Sequence, residues 1–318
     1  MTDQLELFGE PGPDPALAAL AAHVPPHVRF GTSSWTFEGW KGLVYFRRYP
    51  SKQAFVRRSL AEYARYPLFS TVGIDRSYWA PLEVDEHRAY AAQLPEGFRA
   101  CAKVWSEITT RVFPRHERYG ERAGQANPRF FDPALLEDAV LAPMREGFAG
   151  HVGPLIVEIA PAPGRTDPRR FAEAVERFLG AVPDDLRYAF ELREPQLLSE
   201  RYLDVLRAHP HGSHLFNFHT RMPPIRSQLA RPGVLSGDVT VARLMIPPGR
   251  SYGELQAAFS PFDRLVAPQP AMREDVLRLI DETAARGSTL HVLANNKAEG
   301  SSPLTVRALV SALASRQQ

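Results

Sequence analysis

The chain has 318 residues, 44% of them hydrophobic and 23% charged, and a net charge of only +2, an ordinary globular balance with enough apolar residues for a large core. Its single cysteine, Cys101, excludes an internal disulfide and any multi-cysteine zinc site. No apolar run approaches the ~20 residues of a membrane span, and the start, Met1 to Phe8, lacks the basic-then-apolar pattern of a secretory signal, so a soluble cytoplasmic protein is expected.

Residues 1–27 read as a flexible tail. Glu10-Pro-Gly-Pro-Asp-Pro is rich in breakers, an alanine-rich turn or short helix follows, and Pro25-Pro26 closes the segment. At its tip, Gln4, Leu5, Leu7 and Phe8 stand in the order glutamine, leucine, any residue, leucine, phenylalanine. This pentapeptide resembles the motif by which bacterial polymerases and repair proteins dock on the DNA sliding clamp. Leu7 and Phe8 are adjacent apolar anchors on a polar tail, which suits a groove on a partner.

From residue 28 onward, strands and helices alternate. The first strand, 28–32, runs into Gly31-Thr-Ser-Ser-Trp35, where Ser33 offers a hydroxyl. A helix at 51–65 follows, with Ser51 as its N-cap. The second strand, 68–74, closes on Asp75-Arg-Ser-Tyr-Trp79, and a helix covers 81–93. In the third, 98–104, Cys101, Lys103 and Trp105 share the inner face. The long basic stretch 106–131 reads as a lid, a binding loop or a disordered segment, and a helix follows at 133–147.

The fourth strand, 155–160, places Glu158 inside, and 168–180 is an amphipathic helix with Phe171, Ala174, Val175 and Phe178 on one stripe. The fifth, 188–193, is the clearest. Tyr188, Phe190 and Leu192 point one way, and Ala189, Glu191 and Arg193 the other. The sixth, 215–218, aims Asn217 and His219 inward, and the seventh, 241–245, aims Arg243 inward. After a loop and a helix at 273–286, the eighth, 289–294, ends in Asn295-Asn296, and a helix at 303–314 finishes the chain. Repeated strand–helix units with an apolar outer face predict an α/β fold: one TIM-barrel-like (β/α) barrel over 28–318, with any site at the C-terminal strand ends.

Charge is unevenly spread. Segments 35–52, 106–131 and 219–237 carry +3, +2 and +3, which leaves −6 for the remainder. All three follow predicted strands and fall on one face of a barrel. A basic face over a neutral body points to an anionic ligand.

Gly31-Thr-Ser-Ser-Trp35, Thr71-Val-Gly-Ile-Asp75-Arg-Ser-Tyr-Trp79, Ala102-Lys103 with Ile108-Thr109, Glu191-Leu-Arg193, and Asn295-Asn296 with Gly300 resemble the YecE-like family, domain of unknown function 72. The landmarks run from residue 28 to the last helix. The resemblance implies a TIM-barrel-like fold, related in shape to the endonuclease IV and xylose isomerase barrels. It implies no established activity. Three positions depart from the family pattern: Gly73 and Glu158 stand where it usually has glutamate and glutamine, and Met245 where it tends to have histidine.

The strand ends bring Asp75, Lys103, Glu158, Glu191, Arg193, Asn217, His219, Arg243 and Asn295 to one mouth. Buried charges need partners, so structural ion pairs such as Glu191 with Arg243 account for part of this set. As a whole it predicts a functional site. Arg193, Arg243 and Lys103 suit an anionic oxygen. Glu191 or Glu158 suits a general base or acid, with Asp75 beside them, and Asn295 and Asn296 would orient the ligand. Trp35, Trp40, Trp79 and Trp105 all follow the first three strands and either stack on bases or sugars or form an apolar plug. Glu158, Glu191 and His219 form an oxygen-and-nitrogen set of the kind that binds zinc or manganese. Other histidine ligands are missing from the strand ends, so no cofactor is expected and a divalent metal is the lesser alternative.

The expected function is therefore binding or hydrolysis of a phosphate-containing ligand. Nucleic acid in a repair or replication setting leads. An enzyme on a small phosphorylated or carboxylated sugar, or a non-catalytic repair module, are the alternatives. Fold alone does not choose among them.

Overall fold

A computed structural model describes residues 13–115, 117–162 and 166–317. The clamp-like Gln4, Leu5, Leu7 and Phe8 lie outside the described residues. Eight parallel strands form the barrel wall: β1 (Val28–Thr32), β2 (Thr71–Ile74), β3 (Arg99–Ala102), β4 (Leu155–Glu158), β5 (Tyr188–Glu191), β6 (Gly212–Phe218), β7 (Val239–Leu244) and β8 (Thr289–Ala294).

The period-two reading sorts the side chains as expected. Tyr188, Phe190, Leu155, Val157 and Phe216 join the large apolar layer between strands and helices. Cys101, Ile156, Ala189, Leu215, Val241 and Leu293 form a separate layer inside the barrel. Beneath it, His291 Nδ1 meets Thr71 Oγ1 at 3.0 Å and Cys101 Sγ at 3.5 Å.

Helix starts follow the expected chemistry. Ser51 Oγ accepts the Ala54 amide at 3.1 Å to cap Lys52–Tyr63, and Asp167 caps Pro168–Leu179. Among the described residues, three α-helices of five residues or more were not in the sequence reading: Glu200–Ala208, Ile225–Leu229 and Tyr252–Phe259. The expected helix at 133–147 is a Pro133–Leu136 turn, a wide π turn at Glu137–Leu141, and Ala142–Phe148. Pro143 lies at its last joint and lacks the amide an α ladder needs. The second strand is shorter than 68–74, because the Phe69 amide turns back to the Tyr66 carbonyl.

Hydrogen bonding divides the barrel into two sheets. One holds six strands in the order β1-β8-β7-β6-β5-β4, and the other pairs β2 with β3. Between β3 and β4, bridges at Ala100–Val152 and Lys103–Ile156 close the gap. The β1–β2 seam closes differently. A Cβ at Gly31 would lie 1.9 Å from the Thr71 carbonyl oxygen, and one at Gly73 would lie 2.7 Å from that of Ser33. Only glycine permits this approach. The departure at Gly73 therefore has a backbone reason.

The buried Tyr63 hydroxyl bridges the same seam. It accepts the Thr32 amide at 2.9 Å and donates to the Thr71 carbonyl at 3.1 Å, replacing ladder bonds the strands do not make. Tyr63→Phe strands a buried amide and carbonyl. It is expected to lower unfolding stability by about 1–3 kcal/mol in urea titrations. An unchanged midpoint would mean that the hydroxyl does not close the seam.

Candidate functional site

The C-terminal strand ends converge on six charged side chains. Arg243, from inside β7, is fully buried. Its Nη1 donates to Glu191 Oε2 at 2.5 Å and reaches Glu158 Oε2 at 3.4 Å, while Nη2 donates to both oxygens of Asp75 at 2.9 and 2.8 Å. Lys103 Nζ meets Glu158 Oε2 at 2.7 Å and Asp75 Oδ1 at 3.6 Å. Arg193 Nη2 meets Glu158 Oε2 at 3.1 Å and Glu191 Oε1 at 2.8 Å. The last contact is an ion pair without hydrogen-bond alignment. Three cations thus face three carboxylates, and all three cations crowd one oxygen of Glu158.

Burial pushes the Glu158 carboxyl up, but Lys103, Arg193 and Arg243 outweigh it and hold it well below the usual carboxylate range. A carboxylate so held is an acceptor and a weak base, and it has no proton to give near neutrality. Glu191 is the other base or acid the sequence offers. Its side chain has no exposed surface and is covered by Arg193 and Arg243, so it supports them from behind. The carboxylates that meet solvent are Asp75 and Glu158, with side chains 28% and 15% exposed. Among the described residues, Arg193 Nη1 and Arg243 Nε are buried with no hydrogen-bond partner.

Several expected ligand groups are committed to the chain itself. Trp40 is fully buried, and its Nε1 donates to Asn296 Oδ1 at 3.2 Å. Asn296 Oδ1 also accepts the Ser302 amide and hydroxyl. Asn295 caps the Asn296–Glu299 turn by accepting the Lys297 amide at 3.0 Å. Trp35 is buried edge-on against Tyr90, so it is plug and not platform. Ser33 is buried with its Oγ 3.7 Å from Met245 Sδ. Asn217 Nδ2 donates to the Leu192 carbonyl at 2.8 Å. Trp105 is half-buried, whereas Trp79 is 55% exposed, edge-on to Tyr78.

The described residues of the stretch 106–131 are pinned. Val112 and Ala126 form an antiparallel bridge, and Asn127 Nδ2 donates to the Glu107 and Thr110 carbonyls at 2.7 and 2.8 Å. Phe131 stacks on Phe178 in the core. Two of its arginines are ion-paired, Arg122 with Glu107 and Arg129 with Asp132, and Arg111 donates to Thr166 Oγ1 at 2.9 Å.

His219 is half-buried. Burial and then Arg193 push its imidazole down to about 3, and its Nδ1 accepts the Arg221 amide. Among the described residues no group of three or more His, Cys, Asp or Glu is placed to hold a metal ion. Glu158 and Glu191 already serve as counter-ions to three side-chain cations.

One residue escaped the sequence reading. Lys297 is buried, its Nζ 3.9 Å from the Tyr252 ring centroid and 5.4 Å from that of Phe262. Burial pulls it down to about 8, partly offset by Asp75. Its signal was its place two residues beyond Asn295 at a strand end, where a lysine turns inward.

His219, His214 and His291 are held at about 3, about 4 and about 3, burial leading in each case. The unfolded chain takes up protons that the folded one refuses. The stability they contribute is full above the ordinary imidazole value of ~6.5 and is lost as pH falls below it. Glu158 adds a second loss below ~4.3. Urea midpoints are expected to fall steadily from pH 7 to pH 5. A flat profile there would contradict the burial of neutral imidazoles.

A family described as "Protein of unknown function DUF72" matches residues 29–318. Among solved structures, a DUF72 family protein from Enterococcus faecalis V583 aligns with a TM-score of 0.60 at 16% identity, covering 89% of this chain and 95% of its own. One from Thermotoga maritima MSB8 aligns with a TM-score of 0.54 at 18% identity, covering 90% and 99%. These identities carry the fold alone. No curated protein matches the chain.

Proposed function

We propose, on the premise that the chain belongs to the DUF72 family, that its barrel mouth binds an oxyanion-bearing ligand, a phosphate ester of the nucleotide class foremost. The observation that carries this is the unpartnered, buried Arg193 Nη1 beside Lys103. A buried guanidinium donor without an acceptor is costly, and a ligand oxyanion would satisfy it. Lys297 supports the same reading, because its ammonium makes no ion pair among the described residues.

In this reading Arg193 and Lys103 hold the oxyanion. Glu158 and Asp75, the exposed carboxylates, accept from ligand hydroxyls or orient a water. Hydrolysis of a phosphoester is the reaction class we attach to the site, with Glu158 or Asp75 directing the water and no protonated carboxyl required. The exposed rings of Trp79 and Tyr252 are platforms for a base or a sugar, which keeps a small sugar phosphate as the second reading. Docking of Gln4 to Phe8 on a sliding clamp belongs to the first reading and rests on the sequence alone.

Calorimetric titration with AMP, ribose 5-phosphate and inorganic phosphate tests the proposal. Arg193→Gln is expected to weaken AMP binding by about tenfold or more, the size of one charge-assisted hydrogen bond. A thermal melt of the variant separates lost binding from lost fold. Equal affinity in a folded variant, or no binding of any of the three by the parent, would sink the reading. Preference for ribose 5-phosphate over AMP would select the sugar alternative.

A further inference from the structure

We infer that a second, separate cleft, walled by the segment after β1, seats the phosphodiester backbone of single-stranded nucleic acid. The cleft has a volume of about 570 Å³, and its lining includes Lys41, Arg47, Arg48 and Lys52 against a single acid, Glu38. Lys41 pairs with Glu38 at 3.4 Å. Arg47, Arg48 and Lys52 are exposed and make no ion pair among the described residues. Elsewhere exposed arginines commonly have an acid: Arg88 with Glu146, Arg201 with Glu176, Arg316 with Asp281. In a chain of net charge +2, three neighbouring cations without an ion pair in a concavity form a local field.

The cleft is built to keep its shape. Glu62, on the Lys52–Tyr63 helix, accepts the backbone amides of Phe46 and Arg47 at 2.6 and 3.0 Å and the Tyr49 hydroxyl at 2.8 Å. The acid thus fixes the turn from behind through its backbone, leaving the guanidinium groups of Arg47 and Arg48 to solvent. Trp40 anchors the same segment to Asn296 at the end of β8. Guanidinium forks match phosphate oxygens, and the half-buried rings of Phe46 and Tyr49 beside them offer faces to bases. Stacking on those rings needs unpaired bases, which a single strand presents and a duplex does not.

The test is fluorescence anisotropy of a labelled single-stranded oligodeoxynucleotide at rising salt, with the full chain. The variant is Arg47→Ala/Arg48→Ala/Lys52→Ala. It is expected to bind about tenfold or more weakly at low salt, and its log–log salt slope to shrink by roughly 2, three phosphate contacts at about 0.7 each. A charge-matched control, Arg201→Ala/Arg278→Ala/Arg316→Ala, is expected to keep parent affinity and slope. Equal weakening in both variants would reduce the effect to net charge and overturn the site. So would no weakening in the first, or displacement of the DNA by polyglutamate as readily as by unlabelled DNA. Melting curves check that both variants fold. The inference stands apart from the mouth: AMP failing to bind refutes that reading and leaves this one intact.

Discussion

Arg243 is the residue on which the architecture turns. A guanidinium with no exposed surface in the middle of a barrel must be met by carboxylates on several sides, or its desolvation would cost several kcal/mol. The partners come from different places. Glu191 and Glu158 belong to the same six-stranded sheet as Arg243, and Asp75 follows β2 in the two-stranded sheet. Lys103, after β3, crosses the other gap to Glu158 on β4. The two sheets, which backbone bonds join only by isolated bridges, are thus also tied by charge across the interior. The glycine seam matters for the same reason. Without the close approach at Gly31 and Gly73, β2 would not deliver Asp75 to its guanidinium.

The barrel was legible because parallel strands write a period-two code. Tyr188, Phe190 and Leu192 against Glu191 and Arg193 told outside from inside, and the structure keeps that division along β3, β4, β5 and β6, while Trp105, just past β3, packs on the outer layer and not the inner one. The helix at Glu200–Ala208 was missed although Ser199 caps it and Tyr202, Leu203 and Leu206 make its buried stripe. The signal was present, in a segment too short to stand out between two stronger strands. Tyr63 was not legible. Its role depends on a hydroxyl crossing between strands that are 39 residues apart in sequence, Thr32 and Thr71, and nothing local marks a tyrosine for that task.

The site was half legible. The convergence of six charges followed from strand ends, but the order of burial did not. Glu191 and Glu158 look alike in sequence, yet one lies under two arginines and the other opens to solvent. The tryptophans divided in the same way. Trp35 and Trp40 serve the core while Trp79 stays outside, a difference set by what Tyr90 and Asn296 offer them. Membership of a family described as of unknown function adds the fold and leaves the chemistry to the residues themselves.

The even match of Lys103, Arg193 and Arg243 with Asp75, Glu158 and Glu191 has a kinetic meaning. Six charges that cancel have no monopole, so their field dies within a few ångströms, and ions in bulk solution scarcely reach pairs this deeply covered. Such a floor exerts no pull on a molecule diffusing past. For the ligand proposed above, capture would fall to whatever uncompensated charge stands at the rim, and the floor would act only after arrival, on how long it stays. Encounter and residence of such a ligand would then be divided between two layers of the barrel wall.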